Sequence, residues 1–347
     1  MRSILLLNLN HIGDVLFTTP AISALRERHP SARIVCVAHA GVADALKENP
    51  DIDEIILRHN RSLLENARIG LGLRSWKFDI SYCFTFSSYK LAAIGVLAGA
   101  KERVGFSYRQ LKPFLTVSVP NDNSKHQAES YLDLVRATGP VDSTYPMRMC
   151  VSEKDQQVAD KFLAGAGYNG SGPLVGINPG GTVRINQWFP DRFAALADRL
   201  QKDGATVVIF GGKSETYLAE VITKSMKTKP IIAAGKTTIW QLAGLISRCG
   251  VMITGDTGPM HMAVSLDVPT VAIFGPANPS RTGPYTDNCV VLWQKLPCSP
   301  CRRKPTCSFR ECIDATSVDM VYDATRQLLS NPTAASGSAN TEQSAIS

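Results

Sequence analysis

The sequence predicts an α/β protein of two Rossmann-like domains, and three observations carry that expectation. Short β-rich runs alternate with helical patterns, the alternation restarts after a Gly-rich stretch, and Gly-containing turns recur just past the strands. A chain of 347 residues with 44% hydrophobic and 19% charged residues also exceeds what one globular core usually organises.

In the first half the β-rich runs are Ser3 to Asn8, Arg33 to Ala38, Ile52 to Leu57 and Phe78 to Phe84. Helical patterns separate them, and βαβα order of this kind implies a parallel sheet covered on both faces. After the first strand, Ala21, Ile22, Ala24 and Leu25 supply a core stripe, and Arg26, Glu27 and Arg28 its wet end. Pro20 reads either as an early helical residue behind Thr19 as cap or as a kink in a helix begun near Asp14.

A helical stretch after Cys150 runs out in Gly165, Gly167 and Asn169-Gly170-Ser171-Gly172-Pro173, where the linker is expected. That places the domains at 1–168 and 173–329. The second half then reads strand Leu174 to Asn178, helix Asp191 to Lys202, strand Thr206 to Phe210 and helix Thr238 to Arg248. Strands Val251 to Thr254 and Thr270 to Phe274 and a helix from Val318 to Leu329 follow. The segment 330–347, rich in Ser, Ala, Asn and Thr without an apolar period, is expected to be disordered.

The start of the chain has only a four-residue apolar run, too short for a secretory leader, and the longest apolar stretch, Leu91 to Ala100, is about half a membrane span. A soluble, cytoplasmic protein is the expectation. The net charge of +7 reads as a solvated surface or as attraction to an anionic partner. Lys101, Arg103, Arg109, Lys112 and Lys125 thicken one region suited to acidic lipid headgroups or phosphorylated glycans. Nothing accompanies the charge that would signal nucleic-acid binding.

Nine cysteines are an odd number. Cys36, Cys83, Cys150, Cys249 and Cys289 stand singly and read as reduced, hydrophobic thiols of a reducing compartment. Cys298-x2-Cys301-x5-Cys307-x4-Cys312 is a cluster beside the basic run Arg302-Arg303-Lys304. It fits a structural zinc or iron–sulfur site, and equally a set of structural thiols.

The residues that carry chemistry lie just past strand ends, where open parallel sheets bind ligands. Gly255-Asp256-Thr257-Gly258-Pro259-Met260-His261 is the most specific motif. Its glycines allow a tight turn and Pro259 suits a helix start, whose outward N–H groups would welcome a diphosphate. The plainer alternative makes Asp256 or Thr257 a helix cap and His261 a helix-face residue. Asp14 is likewise either a cap or a general base at a cleft rim, with Gly13 allowing close approach. No Gly-x-Gly-x-x-Gly fingerprint leads out of the first strand, which argues against dehydrogenase chemistry.

Gly13-Asp14, the turn Asn178-Pro179-Gly180-Gly181-Thr182 with Trp188 six residues on, the 255–261 motif, and Phe274-Gly275-Pro276 with Pro279 and Arg281-Thr282-Gly283-Pro284-Tyr285 together resemble glycosyltransferase family 9. This is the ADP-heptose:lipopolysaccharide heptosyltransferase family, and the resemblance runs to about Leu329. It implies a GT-B architecture, two Rossmann-like domains whose parallel sheets face across a cleft, with the acceptor mainly on the first and the donor on the second. It implies an inverting transfer that requires no cofactor, from ADP-heptose to a lipid-linked lipopolysaccharide inner-core acceptor, in peripheral contact with the inner membrane.

Carried over, Asp14 becomes the general base, and Asp256, Thr257, Gly258 and His261 contact the donor's diphosphate and sugar. Gly181 and Thr182 form the phosphate-side turn, and Glu215 and Thr237 lie near the nucleoside. One position departs from the family pattern: the Lys usual two residues before the Trp is Asn186 here, with Arg184 or Arg281 as the substitute cation. The departure admits a member using another nucleotide sugar or acceptor. The four-thiol loop admits a non-catalytic metal- or redox-sensing protein on the same scaffold.

Overall fold

A computed structural model describes residues 2–8, 11–301, 307 and 309–330. The first half contains strands β1 (Ser3–Leu7), β2 (Arg33–His39), β3 (Glu54–Arg58), β4 (Ile80–Cys83), β5 (Glu102–Phe106) and β6 (Val117–Val119). Helices α1 (Ile12–Leu16), α2 (Thr19–Arg28), α3 (Leu63–Gly72), α4 (Tyr89–Leu97), α5 (Gln127–Arg136) and α6 (Glu153–Gly165) connect or follow them. The second half contains β7 (Leu174–Asn178), β8 (Thr206–Ile209), β9 (Ile231–Ile232), β10 (Val251–Gly255), β11 (Thr270–Phe274) and β12 (Cys289–Trp293). Its helices are α7 (Pro190–Lys202), α8 (Thr216–Ser225), α9 (Ile239–Ile246), α10 (Gly258–Ser265), α11 (Pro279–Thr282), α12 (Glu311–Asp314) and α13 (Val318–Ser330).

Each half folds around one six-stranded parallel sheet, in the orders β3-β2-β1-β4-β5-β6 and β12-β11-β10-β7-β8-β9. Counted within its own half, the second order repeats the first, so the two halves share one doubly wound topology. The direction of winding reverses between β1 and β4, where Leu7 pairs with Cys83, and between β7 and β10, where Asn178 pairs with Thr254. A crevice opens outside the carboxyl ends of the strands at such reversals.

The central strands are apolar on both faces because both faces are covered. In β1, Ile4 and Leu6 enter one hydrophobic cluster and Leu5 and Leu7 the other, all buried. Each such side chain contributes roughly 1.5–3 kcal/mol by leaving water. The expected central strands are present, with shifts of a residue or two at their ends. The sequence reading passed over β5, β6, β9 and β12, which lie toward the sheet edges. β6 and β9 span three and two residues, too few for an alternation to show. At Pro20 the chain breaks between α1 and α2: Thr18 is the cap and Pro20 sits in the first turn of α2.

The expected linker at 169–173 follows α6, yet α6 packs on α9 of the second half. Gly244 lets the two helices meet, since a Cβ there would stand 2.8 Å from the Asp155 carbonyl oxygen and 3.2 Å from Ala159 Cβ. Arg248 closes the contact with a two-pronged bond to Asp160, at 2.7 and 2.9 Å. The chain therefore passes from one lobe to the other ahead of α6, where Arg148 N–H donates to Thr19 and Met149 N–H to the Ser265 carbonyl. At the other end, Ser330 closes α13 and residues 331–347 lie outside the described residues.

Gly244→Ala is expected to cost about 1–3 kcal/mol by forcing α6 off α9. Urea unfolding of the two proteins measures it, and an unchanged midpoint would show that the helices are not in register there.

Candidate active site

The site is built from four turns at the carboxyl edges of the two sheets. On the first lobe, β1 leads into Asn8, whose side chain is buried and donates to Thr18 Oγ at 2.8 Å. Residues 9 and 10 lie outside the described residues. α1 follows, and Asp14 stands inside its first turn, so it is no cap; His11 holds that position without a side-chain bond.

Asp14 is half-buried. Gln127 Nε2 donates to its Oδ1 at 3.3 Å and to the Tyr131 hydroxyl at 3.0 Å, both partners lying on or at the start of α5. Burial raises the carboxyl above its ordinary range, while the charge of His11 and the Gln127 bond pull the other way. Gln127 escaped the sequence reading. Its i, i+4 spacing to Tyr131 is a local signal, but nothing local ties it to a residue 113 positions earlier.

α1 packs directly on α10 of the other lobe. A Cβ on Gly13 would stand 2.5 Å from His261 Cδ2, and one on Gly258 would lie 3.8 Å from Ile12 Cβ. The His261 ring meets Phe17 edge to face, with centroids 4.5 Å apart. The approach that Gly13 permits is therefore that of a protein ring across the lobes. Around it, His126 Nε2 lies 3.1 Å from the Gly283 carbonyl oxygen and the His126 ring stacks on Tyr285 at 4.8 Å. Tyr285 donates its hydroxyl to Glu129, and Arg281 donates to the carbonyls of Asp122 and Lys125 at 3.2 and 3.0 Å. Arg281 is thus engaged in joining the lobes.

On the second lobe, Asn178 Nδ2 donates to Thr257 Oγ at 3.3 Å, and the Thr254 and Thr257 hydroxyls lie 3.0 Å apart. Thr257 occupies the cap position of α10 with extended backbone, yet its hydroxyl is turned to these partners and makes no capping bond. Gly258 and Pro259 open the helix, so the turn at 255–258 presents a helix start not closed by its own cap. Gly181 has a positive φ of 145°, and a Cβ there would meet Thr257 Cγ at 2.9 Å, which brings the 178–182 turn against the 255–258 turn.

Glu215 holds this arrangement from behind. One oxygen accepts the Gly181 N–H at 2.6 Å and the other the Gly212 N–H at 2.8 Å, tying the turn after β7 to the turn after β8. Thr237 lies in the next turn along, between β9 and α9. Trp188, buried, anchors the far end of the first turn by donating to the Thr316 carbonyl at 3.0 Å.

Thr182 and Arg184 are exposed at the rim, and Asn186 is buried, with its Oδ1 lacking a hydrogen-bond partner. The cation on this turn is therefore Arg184. A second guanidinium, not singled out from sequence, stands near it: Arg310 lies over the Phe189 ring at 4.7 Å and donates to the Gln187 carbonyl. Gln187 in turn donates to the Gly181 carbonyl at 2.9 Å. Burial and the charge of Arg184 lower the Arg310 pKa.

Cys298, Cys301, Cys307 and Cys312 line one cavity of about 730 Å³, shared with Ile185, Pro276 and Arg310. Among the described residues no group of three or more His, Cys, Asp and Glu stands in metal-ligating geometry. Residues 302–306 lie outside the described residues. Of the five single cysteines, Cys36, Cys83 and Cys249 are buried, with thiols pushed up to about 12 by desolvation.

His261 is held neutral, since burial and the neighbouring His126 lower its pKa to about 3 from an ordinary 6.5. The unfolded chain therefore takes up this proton first, and the stability that depends on a neutral ring is present above about pH 6.5 and lost as pH falls toward 3. His261→Phe, which keeps a ring but removes the titration, should flatten this part of acid unfolding. Urea midpoints near neutrality and at about pH 4.5 measure it; equal acid sensitivity in both proteins would count against a buried neutral imidazole.

The family model for glycosyltransferase family 9 (heptosyltransferase) matches residues 67–312. A lipooligosaccharide heptosyltransferase 2 of Campylobacter jejuni is 26% identical over 329 residues, covering 92% of this chain and 96% of its own. Among solved structures, a glycosyl transferase family 9 protein of Veillonella parvula superposes with a TM-score of 0.88 at 28% identity, over 94% of this chain and 97% of that one. The ADP-heptose lps heptosyltransferase II of E. coli superposes with a TM-score of 0.81 at 23% identity, over 95% and 98% of the two chains. The paired doubly wound sheets are the GT-B architecture that the sequence led us to expect. With its turns gathered at one seam and the family model spanning most of its length, the chain belongs to glycosyltransferase family 9, the heptosyltransferase family, and is a glycosyltransferase.

Proposed function

We propose that this enzyme transfers heptose, with inversion, from ADP-heptose to a hydroxyl of a lipid-linked lipopolysaccharide inner-core acceptor at the cytoplasmic face of the inner membrane. The single observation that carries the reading is a half-buried carboxylate, Asp14, on a helix packed against the start of α10. The names of the relatives support heptose as the sugar, and that of the E. coli neighbour ADP-heptose as the donor.

In this reading the acceptor hydroxyl gives its proton to Asp14 as its oxygen attacks the anomeric carbon, and the bond from that carbon to the diphosphate oxygen breaks on the opposite side. A raised pKa makes Asp14 a stronger base than an exposed carboxylate. ADP leaves carrying the negative charge, which the N–H groups at Thr257 and Gly258, the Gly181–Thr182 turn and the Arg184 guanidinium stabilise. Asp256 and His261 orient the sugar and diphosphate. Glu215 keeps lone pairs for the nucleoside beyond the two N–H groups it accepts, and Thr237 flanks it. No metal or other cofactor is needed in this step, because fixed donors meet the charge. The four thiols around the 730 Å³ cavity are in this reading structural thiols, outside the transfer.

Asp14→Asn should lower turnover, read as ADP release, by at least about a hundredfold while leaving ADP affinity within about twofold. Gln127→Leu removes a bond that favours the charged carboxylate, so the acid limb of its kcat/KM profile should move to higher pH. Turnover of Asp14→Asn at the wild-type rate would overturn the base assignment.

A further inference from the structure

The chain's charge is not spread evenly. Between residues 57 and 116 there are ten Lys and Arg against three Asp and Glu, a net of +7 that equals the net charge of the whole chain. The remainder is balanced, with 27 of each sign. The three acids of the segment are occupied. Glu65 accepts the N–H groups of His59 and Asn60, Asp79 pairs with Lys101 at 2.8 Å, and Glu102 lies 4.0 Å from Arg2.

The same segment is unusually apolar outside. Of eleven exposed large hydrophobic residues among those described, six fall between 57 and 96: Leu57, Leu63, Leu64, Leu71, Tyr89 and Val96. Leu64 is 85% exposed. On α3, Leu64, Arg68 and Leu71 follow the i, i+4, i+7 spacing of one helix stripe, opposite the buried Asn66 and Gly70. On α4, Tyr89, Ala93 and Val96 repeat the spacing, opposite the buried Leu91, Ala92, Ile94 and Gly95. The helices touch, since a Cβ on Gly70 would stand 2.6 Å from Leu97 Cβ and 3.2 Å from the Ile94 carbonyl oxygen.

Cations border this double stripe. Arg61 precedes α3, Arg68 interrupts its apolar row, and Arg74 lies past its end with its stem 3.8 Å from where a Gly99 Cβ would be. Lys112 adjoins Phe114, whose ring stacks on Tyr89 at 6.4 Å. No helix among the described residues is long and apolar enough to cross a membrane, so a lipid surface would have to be met from outside.

We propose that the α3–α4 face docks the enzyme on an anionic phospholipid bilayer, with Leu64, Leu71, Tyr89 and Val96 in the headgroup layer and Arg61, Arg68 and Arg74 on lipid phosphates. Apolar side chains ringed by uncompensated cations suit such a surface. A second copy of the chain is the poorer occupant, because two such faces would bring like charges together. Both helices start just past strand carboxyl ends, the sheet edge at which Asp14 stands. A bilayer against them holds a lipid-linked hydroxyl near that edge. The inference extends the acceptor side of the proposed function, but its deciding readout, binding to vesicles, needs no turnover.

The purified chain is sedimented with vesicles of phosphatidylcholine alone and of phosphatidylcholine mixed with phosphatidylglycerol, at low and high salt. Binding should require phosphatidylglycerol and weaken with salt. Arg68→Ala and Arg74→Ala should each lower partitioning about fivefold, and Leu64→Asp with Leu71→Asp at least about tenfold. All these variants should melt like the parent and release ADP equally on a delipidated acceptor, so lost docking and lost transfer read separately. Equal binding to both vesicle types, no binding to either, or a dimer in light scattering that the Leu64→Asp, Leu71→Asp variant dissolves would each overturn the proposal.

Discussion

The contact between Gly13 and His261 is the constraint on which the rest of the site depends. A side chain at residue 13 would collide with the imidazole, so its absence lets α1 lie on α10. That packing fixes where Asp14 stands relative to the helix start at Gly258. It also buries His261 against Phe17, which is why the imidazole stays uncharged. The flanking bonds from His126, Tyr285 and Arg281 hold the lobes together around this point.

Behind the seam, the second lobe invests its polar groups in fixing turns. Glu215 spans two of them, Asn178 and Thr254 hold Thr257, and Arg310 reaches Gly181 through Gln187. Donors fixed in this way do not have to reorganise when charge develops on a leaving group, which is the main reason preorganised sites outperform water. The Thr257 hydroxyl illustrates the economy. Used inward, it steadies the turn and leaves the helix start without a side-chain cap.

The first lobe divides its surface by sign in a way the second does not. Its excess cations and exposed apolar side chains sit together on α3, α4 and the neighbouring segments, while the remainder of the chain is neutral. From sequence, only its part from Lys101 to Lys112, with Lys125 beyond it, stood out. The stripe on α3 becomes visible once the helix is known to pack through Asn66 and Gly70, because only then are Leu64 and Leu71 known to face out.

The sequence by itself determined the two-domain α/β class, the central strands, and the turns at 13–14, 178–182 and 255–261, because period-2 runs and strand-end glycines are local signals. It also marked Glu215, Asp14 and His261, though it left open whether Asp14 was a cap or a base and whether His261 was a ligand contact or a helix-face residue. Tertiary structure decided their placement and partners. It placed Asp14 inside a helix turn, set Glu215 across two backbone N–H groups, and took Arg281 into the lobe contact. It attached α6 to the second lobe, added Gln127 and Arg310, and gathered four thiols around one cavity. Such features join residues tens to hundreds of positions apart, and only the packing of one lobe on the other brings them within reach.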